Sequence, residues 1–520
     1  MAARAVAINR AGGGGPGLIA AAFVAAVILG PVAAVLWRAG GGGWPGPADW
    51  AALRFTLTQA TLSALISVAL AIPAARALAR RRFAGRRILI TALGAPFILP
   101  VIVAVLGLLA VFGRSGALNT VLYAAGLPTM QIYGLHGVVL AHVFFNLPLA
   151  TRIILQGWQS IPAERFRLTA SLGMNAGQVM RHLEWPMLRA VIPGALMVIF
   201  AICLSSFAVA LTLGGGPSAT TVELAIYQAF RFDFDLGRAA VLACIQLSIV
   251  TVAAILALRV AQSGGFGAGL DRSLRRFDAE TPALRLLDAG VLLLVALFLL
   301  TPMAAIVMRG GAALLDLPGA VWRAAGISLA VAGASMALTL ALALPMALAA
   351  LKRPMIEAVG LLGIAASPLV IGVGLFVLIN PWTNPMQLAL PVTALVNAVM
   401  ALPFALRVMT PQLIDINSDF GNLCDSLGMS PRDRLRLVVL PRLRRQLGFA
   451  AGLAAALSIG DLGVIALFAD PEIATLPLQI LRLMGAYRMA DAAGAGLLLL
   501  VLSLSVFWLL DQGGRADSDA

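Results

Sequence analysis

Asp461 stands inside an apolar run, Leu457 to Phe468, that reads LSIGDLGVIALF. An ionisable side chain in so apolar a setting is costly and marks a functional candidate by default. The neighbouring Gly460 and Gly463 offer the alternative, a cap on a broken helix. Few other residues are spaced for chemistry. His136, His142 and His182 have no ligand spacing, and Cys203, Cys244 and Cys424 match neither a metal site nor a disulfide framework. Cys203 and Cys244 fall in apolar stretches and read as small core residues. The only lysine, Lys352, stands between Leu351 and Arg353, so the phosphate loop G-x-x-x-x-G-K-[ST] is absent. The glycine runs 12–15 and 40–43 follow no strand, and neither a catalytic triad nor a dinucleotide fingerprint is visible. The chain is expected not to be an enzyme and to hold no cofactor or metal of its own.

The elements that position these residues follow from composition. Of 520 residues, 61% are hydrophobic and only 12% are charged, against roughly 25% charged in soluble proteins. Mean hydropathy is +0.96. A span needs about 20 apolar residues to cross ~30 Å of hydrocarbon. Twelve stretches qualify, near 17–37, 56–79, 88–112, 134–156, 190–213, 238–260, 286–308, 325–350, 356–380, 390–411, 446–469 and 489–511. In lipid every backbone polar group needs an internal partner, so spans of this length are helices. The expected fold class is all-α, a polytopic membrane protein of about twelve transmembrane helices. The first stretch follows Arg4 and Arg10 as a signal peptide would, but it is long enough to span and has no clear cleavage site, and it reads as an uncleaved helix.

The net charge of +14 could suit nucleic acid, but the arginines are sorted by loop. One cluster is Arg80, Arg81, Arg82, Arg86 and Arg87, another Arg272, Arg275, Arg276 and Arg285, and a third Arg432, Arg434, Arg436, Arg442, Arg444 and Arg445. With a cytoplasmic N-terminus, most of the 37 Lys and Arg residues fall on the cytoplasmic side, as the positive-inside rule requires. An even number of spans then returns the C-terminus to the cytoplasm. The charge is topological, and no nucleic-acid partner is expected.

The chain also repeats itself. A shift of 255 residues brings Leu147-Pro148 onto Leu402-Pro403 and Arg152 onto Arg407. It brings Ser171-Leu172-Gly173-Met174 onto Ser426-Leu427-Gly428-Met429, and Arg181, Pro186, Leu188 and Arg189 onto Arg436, Pro441, Leu443 and Arg444. An earlier pair, Pro73 with Pro345 and Pro96 with Pro368, needs a shift of 272. The division is two six-helix halves, 1–261 and 286–520, joined by a polar linker, 262–285, with Gly264, Gly265, Gly267 and Gly269. Six is even, so the halves cross in the same sense, related by a pseudo-two-fold along the membrane normal, which is a transporter design. Prolines within spans (Pro73, Pro148, Pro345, Pro403) are expected to kink helices, either for packing alone or to form a gate, and their duplication across the halves favours a shared structural role.

Each half carries a long loop, 157–189 and 412–445, expected on the cytoplasmic side. In each, a proline follows a glycine by thirteen residues, Gly173 to Pro186 and Gly428 to Pro441, and ends a tetrad, Leu183-Glu184-Trp185-Pro186 or Val438-Val439-Leu440-Pro441. Glycine can end one short helix and proline open the next, so each loop is expected to form short helices at the membrane surface. This pattern resembles the loop signature of binding-protein-dependent ABC importer permeases, which begins Glu-Ala-Ala, has a glycine three residues on, and ends Ile-x-Leu-Pro. The resemblance implies two coupling loops docking on a dimer of a separate ABC ATPase that binds ATP and Mg. The implied coupling residues are Glu164, Leu172, Gly173, Met174, Leu183 and Pro186, and Asp419, Leu427, Gly428, Met429, Val438 and Pro441. The Glu-Ala-Ala positions read Arg167-Leu168-Thr169 and Asn422-Leu423-Cys424, so the detailed contact differs.

A closer resemblance covers most of the chain. Ser205 to Ala240 (SSFAVALTLGGGPSATTVELAIYQAFRFDFDLGRAA), with LSIGDLGVIALF and LMGAYRMADAA, is similar to the permeases of bacterial thiamine importers. This implies an inner-membrane protein moving thiamine, or a phosphorylated form, delivered by a periplasmic thiamine-binding protein. Ferric-iron importers share the doubled plan and a looser pattern, and remain an alternative, as does another small solute. A membrane-embedded enzyme would show paired Asp or His clusters at a membrane face, and none is visible. Thiamine is a cation with aromatic rings, so the implied path has acidic and aromatic candidates. These are Glu223, Tyr227, Asp233 and Asp235 in the first half and Asp461, Asp470 and Glu472 in the second. Asp233 and Asp235 also fit a solvated loop that meets the binding protein.

Overall fold

The structure is a computed structural model that describes residues 14–41, 43–94, 99–260, 281–468 and 473–515. Arg4, Arg10, Gly12, Gly13, Gly42, Pro96, the linker residues 262–280, Asp470 and Glu472 lie outside the described residues. Every regular element among the described residues is helical. The first half contains α1 (Gly14–Ala39), α2 (Pro47–Arg80), α3 (Arg86–Ala92), α4 (Val101–Phe112), α5 (Ala117–Ala124) and α6 (Leu135–Gln159). It continues with α7 (Ala163–Ser171), α8 (Ala176–Val179), α9 (Trp185–Leu204), α10 (Ala208–Leu213), α11 (Val222–Arg231) and α12 (Leu236–Val260). The second half contains α13 (Pro282–Ala313), α14 (Gly319–Ala350), α15 (Pro354–Ala365), α16 (Pro368–Ile379) and α17 (Ala389–Ser426). After these come α18 (Pro431–Asp433), α19 (Leu440–Ile459), α20 (Gly463–Phe468), α21 (Leu476–Gly485) and α22 (Met489–Arg515).

Eleven candidate spans are found among the described residues, and a twelfth if one bent pair counts as a span. That pair is α15 with α16, bent by 89°. Its cause is at Ser367-Pro368, where proline lacks the N–H that would continue the ladder and pushes the preceding residue out of helical geometry. The expected span 88–112 is likewise divided, into α3 and α4. The expected spans 190–213 and 446–469 also stop early, at Leu204 and Ile459, and resume as the six-residue α10 and α20. The ten-residue α11 and α21 follow, each with many of its residues buried. Both were invisible to a search for 20-residue runs.

The halves are interlaced. The first helix, α1, packs on α14, α15 and α16 of the second half as well as on α12. Its counterpart α13 packs on α2 and α4 of the first half and on α22. The same device makes both crossings. A Cβ on Gly107 of α4 would lie 2.6 Å from the carbonyl oxygen of Pro302 in α13, and a Cβ on Gly374 of α16 would meet the carbonyl of Pro31 in α1. Bare glycine faces let backbones approach closely, as helix packing in membranes favours. Leu293, Leu294 and Ile19 point outward from the bundle, and the core is lined by Phe144, Trp158 and Phe468.

Candidate functional site

The two Gly–Pro loops share one local structure. Helix α7 ends where Gly173 takes a left-handed φ of +63°, and α17 where Gly428 takes +60°. The amide of Met174 donates to the Thr169 carbonyl at 3.0 Å, and that of Met429 to Cys424 at 3.0 Å. This six-to-one bond closes the helix only over a left-handed residue, which glycine supplies without a Cβ clash. The next turn is capped by Asn175, which accepts from the Gln178 amide at 2.9 Å, or by Ser430, which accepts from the Asp433 amide at 3.2 Å. Each chain segment then widens into a π turn, Met180–Glu184 or Arg434–Val439. Pro186 and Pro441 follow at the second position of α9 and α19. The prolines therefore do not open new helices. They sit in continuous ones, where the widened turn makes room for a ring that cannot donate.

One expectation is corrected here. Short helices do form in the first loop, but in the second α17 runs unbroken from the span to Ser426. Pro162 separates α7 from α6, and the repeat puts Asn417 in its place, which has an N–H and no ring. At the loop tips Leu172 and Leu427 are 62% and 67% exposed, with Leu168 and Leu423 beside them also exposed. Glu164 and Asp419 are exposed, and Met174, Met429, Leu183 and Val438 are half-buried. Each loop thus presents a small apolar knob rimmed by charge, the form of a docking surface.

Spacing alone did not single out Glu184. Its side chain is fully buried. Its Oε2 pairs with Arg76 at 2.7 Å and approaches Arg80 at 3.9 Å, and Trp158 Nε1 donates to its Oε1 at 3.2 Å. The second loop is held otherwise, by Arg434 donating to Asn417 at 2.7 Å.

At the centre, Glu223 of α11 accepts from Gln246 of α12 at 3.3 Å and from Ser367, the N-cap of α16 in the other half. Tyr227, one turn on, packs edge-on against Phe207 and Phe232, with centroids 5.2 and 5.7 Å apart. Asp461 Oδ1 accepts from the Gly463 amide at 3.2 Å, so it does cap the break before α20. Its Oδ2 is buried with no hydrogen-bond partner among the described residues. Gly463 lies between Asp461 and Phe207, and Gly460 lies against Pro100 of the first half. Glu223, Tyr227 and Asp461 are therefore drawn toward the boundary of the halves. Asp233 and Asp235 are not. Asp233 pairs with Arg238 at 2.9 Å on the surface, and Asp235 accepts from the Arg238 amide at 2.9 Å. Arg238 also holds the buried Asp49 at 2.8 Å.

His142 was assigned no role from spacing. It meets Ser206 at 2.7 Å and Ser63 at 3.3 Å, and its repeat counterpart Asn397 donates to Ser458 at 3.0 Å. The repeat could also have found a second pair. The Val222 amide opening α11 donates to Thr56 at 2.9 Å, and the Leu476 amide opening α21 donates to Ser328 at 2.8 Å. Thr56 and Ser328 are 272 residues apart, the shift that pairs Pro73 with Pro345.

Doubled spans, paired loops and a sparse polar centre define a multi-pass membrane permease. No protein-family model matches the chain. It is 39% identical over 522 residues to the thiamine transport system permease protein of Brucella abortus, covering 97% of this chain and 96% of that protein. It is 39% identical over 514 residues to the protein of that description in Escherichia coli K12, covering 96% of each. A molybdenum transport system permease of Mycobacterium bovis is 30% identical over 216 residues, covering 41% of this chain and 79% of that protein. The chain belongs to the family of thiamine transport system permease proteins.

Proposed function

We propose that the chain is the membrane-spanning subunit of a bacterial ABC importer that carries thiamine, free or phosphorylated, across the inner membrane. Its loops and both termini lie in the cytoplasm, where each loop docks on one subunit of an ATPase dimer that binds ATP and Mg. A periplasmic thiamine-binding protein delivers the substrate to the opposite face, near Asp233 and Asp235. The two six-helix halves, 1–261 and 286–520, rock about their pseudo-two-fold. ATP drives this only in so far as it binds the two conformations with different affinity. Glu223, Tyr227 and Asp461 line the cation's path between the halves.

One observation carries this most directly. The relatives named as thiamine permeases match over nearly the whole chain, and the chain has two loops of equal geometry, as a dimeric ATPase requires. Uptake of radiolabelled thiamine into cells with and without the gene tests it, with ferric iron as a parallel tracer. Loss of thiamine uptake alone is the expected result. Loss of iron uptake alone keeps the machine and replaces its cargo, and loss of neither overturns the reading.

A further inference from the structure

Among the described residues, two that are not glycine take a left-handed φ, Phe234 at +53° and Tyr487 at +58°. They are counterparts in the repeat. Each stands two residues before the last span of its half, α12 or α22, and just after α11 or α21. The amide that follows each ring bonds back to the preceding helix, Asp235 to the Ala229 carbonyl and Arg488 to that of Leu483, both at 2.9 Å. At Gly173 and Gly428 the chain uses glycine for a left-handed turn. Here it strains a bulky aromatic instead, and the ring gains no burial: Phe234 is 79% exposed and Tyr487 91%. A bulky residue in this region is a genuine outlier, and such strain gathers at functional sites.

The charges beside the two rings are exchanged. Asp235 and Arg488 hold the same position, each offering its carbonyl to the first bond of the following helix, from Ala239 and Ala492 at 3.0 Å. Three residues on stand Arg238 and Asp491, so one half has acid then base and the other base then acid. Around the first ring, Asp233, Asp235 and the buried Asp49 held by Arg238 stand against Arg231 and Arg238. Around the second, Asp491 stands against Arg482 and Arg488. Asp235 suits its place, since an acid favours a helix N-terminus. Arg488 does not, and is offset by Asp491, which pairs with its guanidinium at 2.6 Å. A residue that breaks the local preference and needs a neighbour to offset it points to function. The turns also lie by the seam between the halves. Phe230, one turn before Phe234, packs edge-on against Phe376 of the other half with centroids 4.6 Å apart, and α21 packs on α4.

We infer that Phe234 and Tyr487 are two feet for one water-soluble protein, the periplasmic binding protein, and that the exchanged charges fix which way round it sits. The inference rests on the proposed importer reading. Helices α9 and α19 cross away from the coupling loops and α12 and α22 cross back, so both turns face the side from which substrate arrives. A pseudo-two-fold surface by itself accepts an asymmetric partner in two orientations. A basic patch over Asp233 and Asp235 with an acidic patch over Arg488 admits only one. The exposed rings supply the anchors. Anionic lipid headgroups would meet repulsion from the acids that flank Phe234.

The test uses the permease–ATPase complex in nanodiscs and the same bacterium's periplasmic thiamine-binding protein, with the photo-crosslinker p-benzoylphenylalanine in place of Phe234 or Tyr487. Irradiation is expected to join each position to the binding protein, and each to its own set of peptides by mass spectrometry. Asp235→Arg combined with Arg488→Asp leaves Arg238 on Asp49 and should make the two sets mix or trade places. Phe234→Gly and Tyr487→Gly relieve the backbone strain, so each should melt at or above the wild-type temperature while binding the partner about tenfold more weakly. That combination separates lost docking from misfolding. Crosslinks to lipid alone, one shared set of peptides from both positions, sets unmoved by the charge exchange, or full-strength binding by both glycine variants would overturn the docking. A chain that recruits no ATPase overturns the importer reading itself.

Discussion

Ser367 donates its hydroxyl proton to the buried carboxylate of Glu223, joining the α16 N-cap of one half to α11 of the other. The bond bridges the surface along which the two halves would part in the proposed rocking. The carboxylate closes the boundary with a hydrogen bond, and in the proposed path it would also offer negative charge to a cation. Glu223→Gln keeps an acceptor for Ser367 and removes only the charge. Thiamine uptake is expected to fall about tenfold or more, as loss of one charge-assisted contact implies, while the protein reaches the membrane in normal amounts. Radiolabelled uptake alongside quantitative immunoblotting checks this, and unchanged uptake would remove Glu223 from the path.

Asp461 provides a comparison. Its Oδ1 already caps the break before α20, and its Oδ2 has no partner among the described residues. Asp461→Asn preserves the cap acceptor, so a purely capping role predicts near-normal transport. The proposed path role predicts a higher KM for thiamine at unchanged expression. Concentration-dependent uptake separates the two.

Gly173 and Gly428 hold left-handed φ angles of +63° and +60° at the loop tips. A side chain there costs about 1–2 kcal/mol of backbone strain, and a bulky charged one also alters the docking knob. Gly173→Glu and Gly428→Glu are each expected to abolish coupling while leaving membrane insertion intact. Thiamine-stimulated ATP hydrolysis by the reconstituted complex is the readout, and normal stimulation in both variants would end the coupling assignment.

The matched bonds to Thr56 and Ser328 predict matched costs. Thr56→Val or Ser328→Ala leaves the first amide of α11 or α21 buried without its acceptor, a loss of about 1–3 kcal/mol. Thermal unfolding in detergent should show each variant melting about 2–4 °C lower, and the double variant close to the sum, since the sites lie in different halves.

Long apolar runs and the repeat made the eleven or twelve candidate spans, the paired loops and the all-helical class legible from the sequence. A glycine thirteen residues before a proline is a local pattern, and the turn it forms is local too. What stayed hidden depends on contacts between distant residues. Glu184 looked like the variable position of its tetrad until Arg76 and Arg80 came to it from α2. Ser367 precedes a proline, and nothing local in the sequence tells that it meets Glu223 across the halves beside the 89° bend. Helices α11 and α21 fell below the length at which hydropathy can distinguish a buried turn from a loop. Asp233 and Asp235 read from sequence as path residues or as a solvated loop that meets the binding protein, and their ties to Arg238, five and three positions on, depend on the fold.

Gly374 of α16 lies against Pro31 of α1, and Gly107 of α4 against Pro302 of α13. A polypeptide is made from one end, at about 5–20 residues per second. When α1 leaves the ribosome, α16 is still some 340 residues away (39 to 379), so α1 waits on the order of half a minute for its glycine. During that interval its packing face meets lipid or a membrane chaperone instead. Splitting the gene at the linker would therefore yield two fragments that each need the other's first helix, and only their co-expression would restore both crossings.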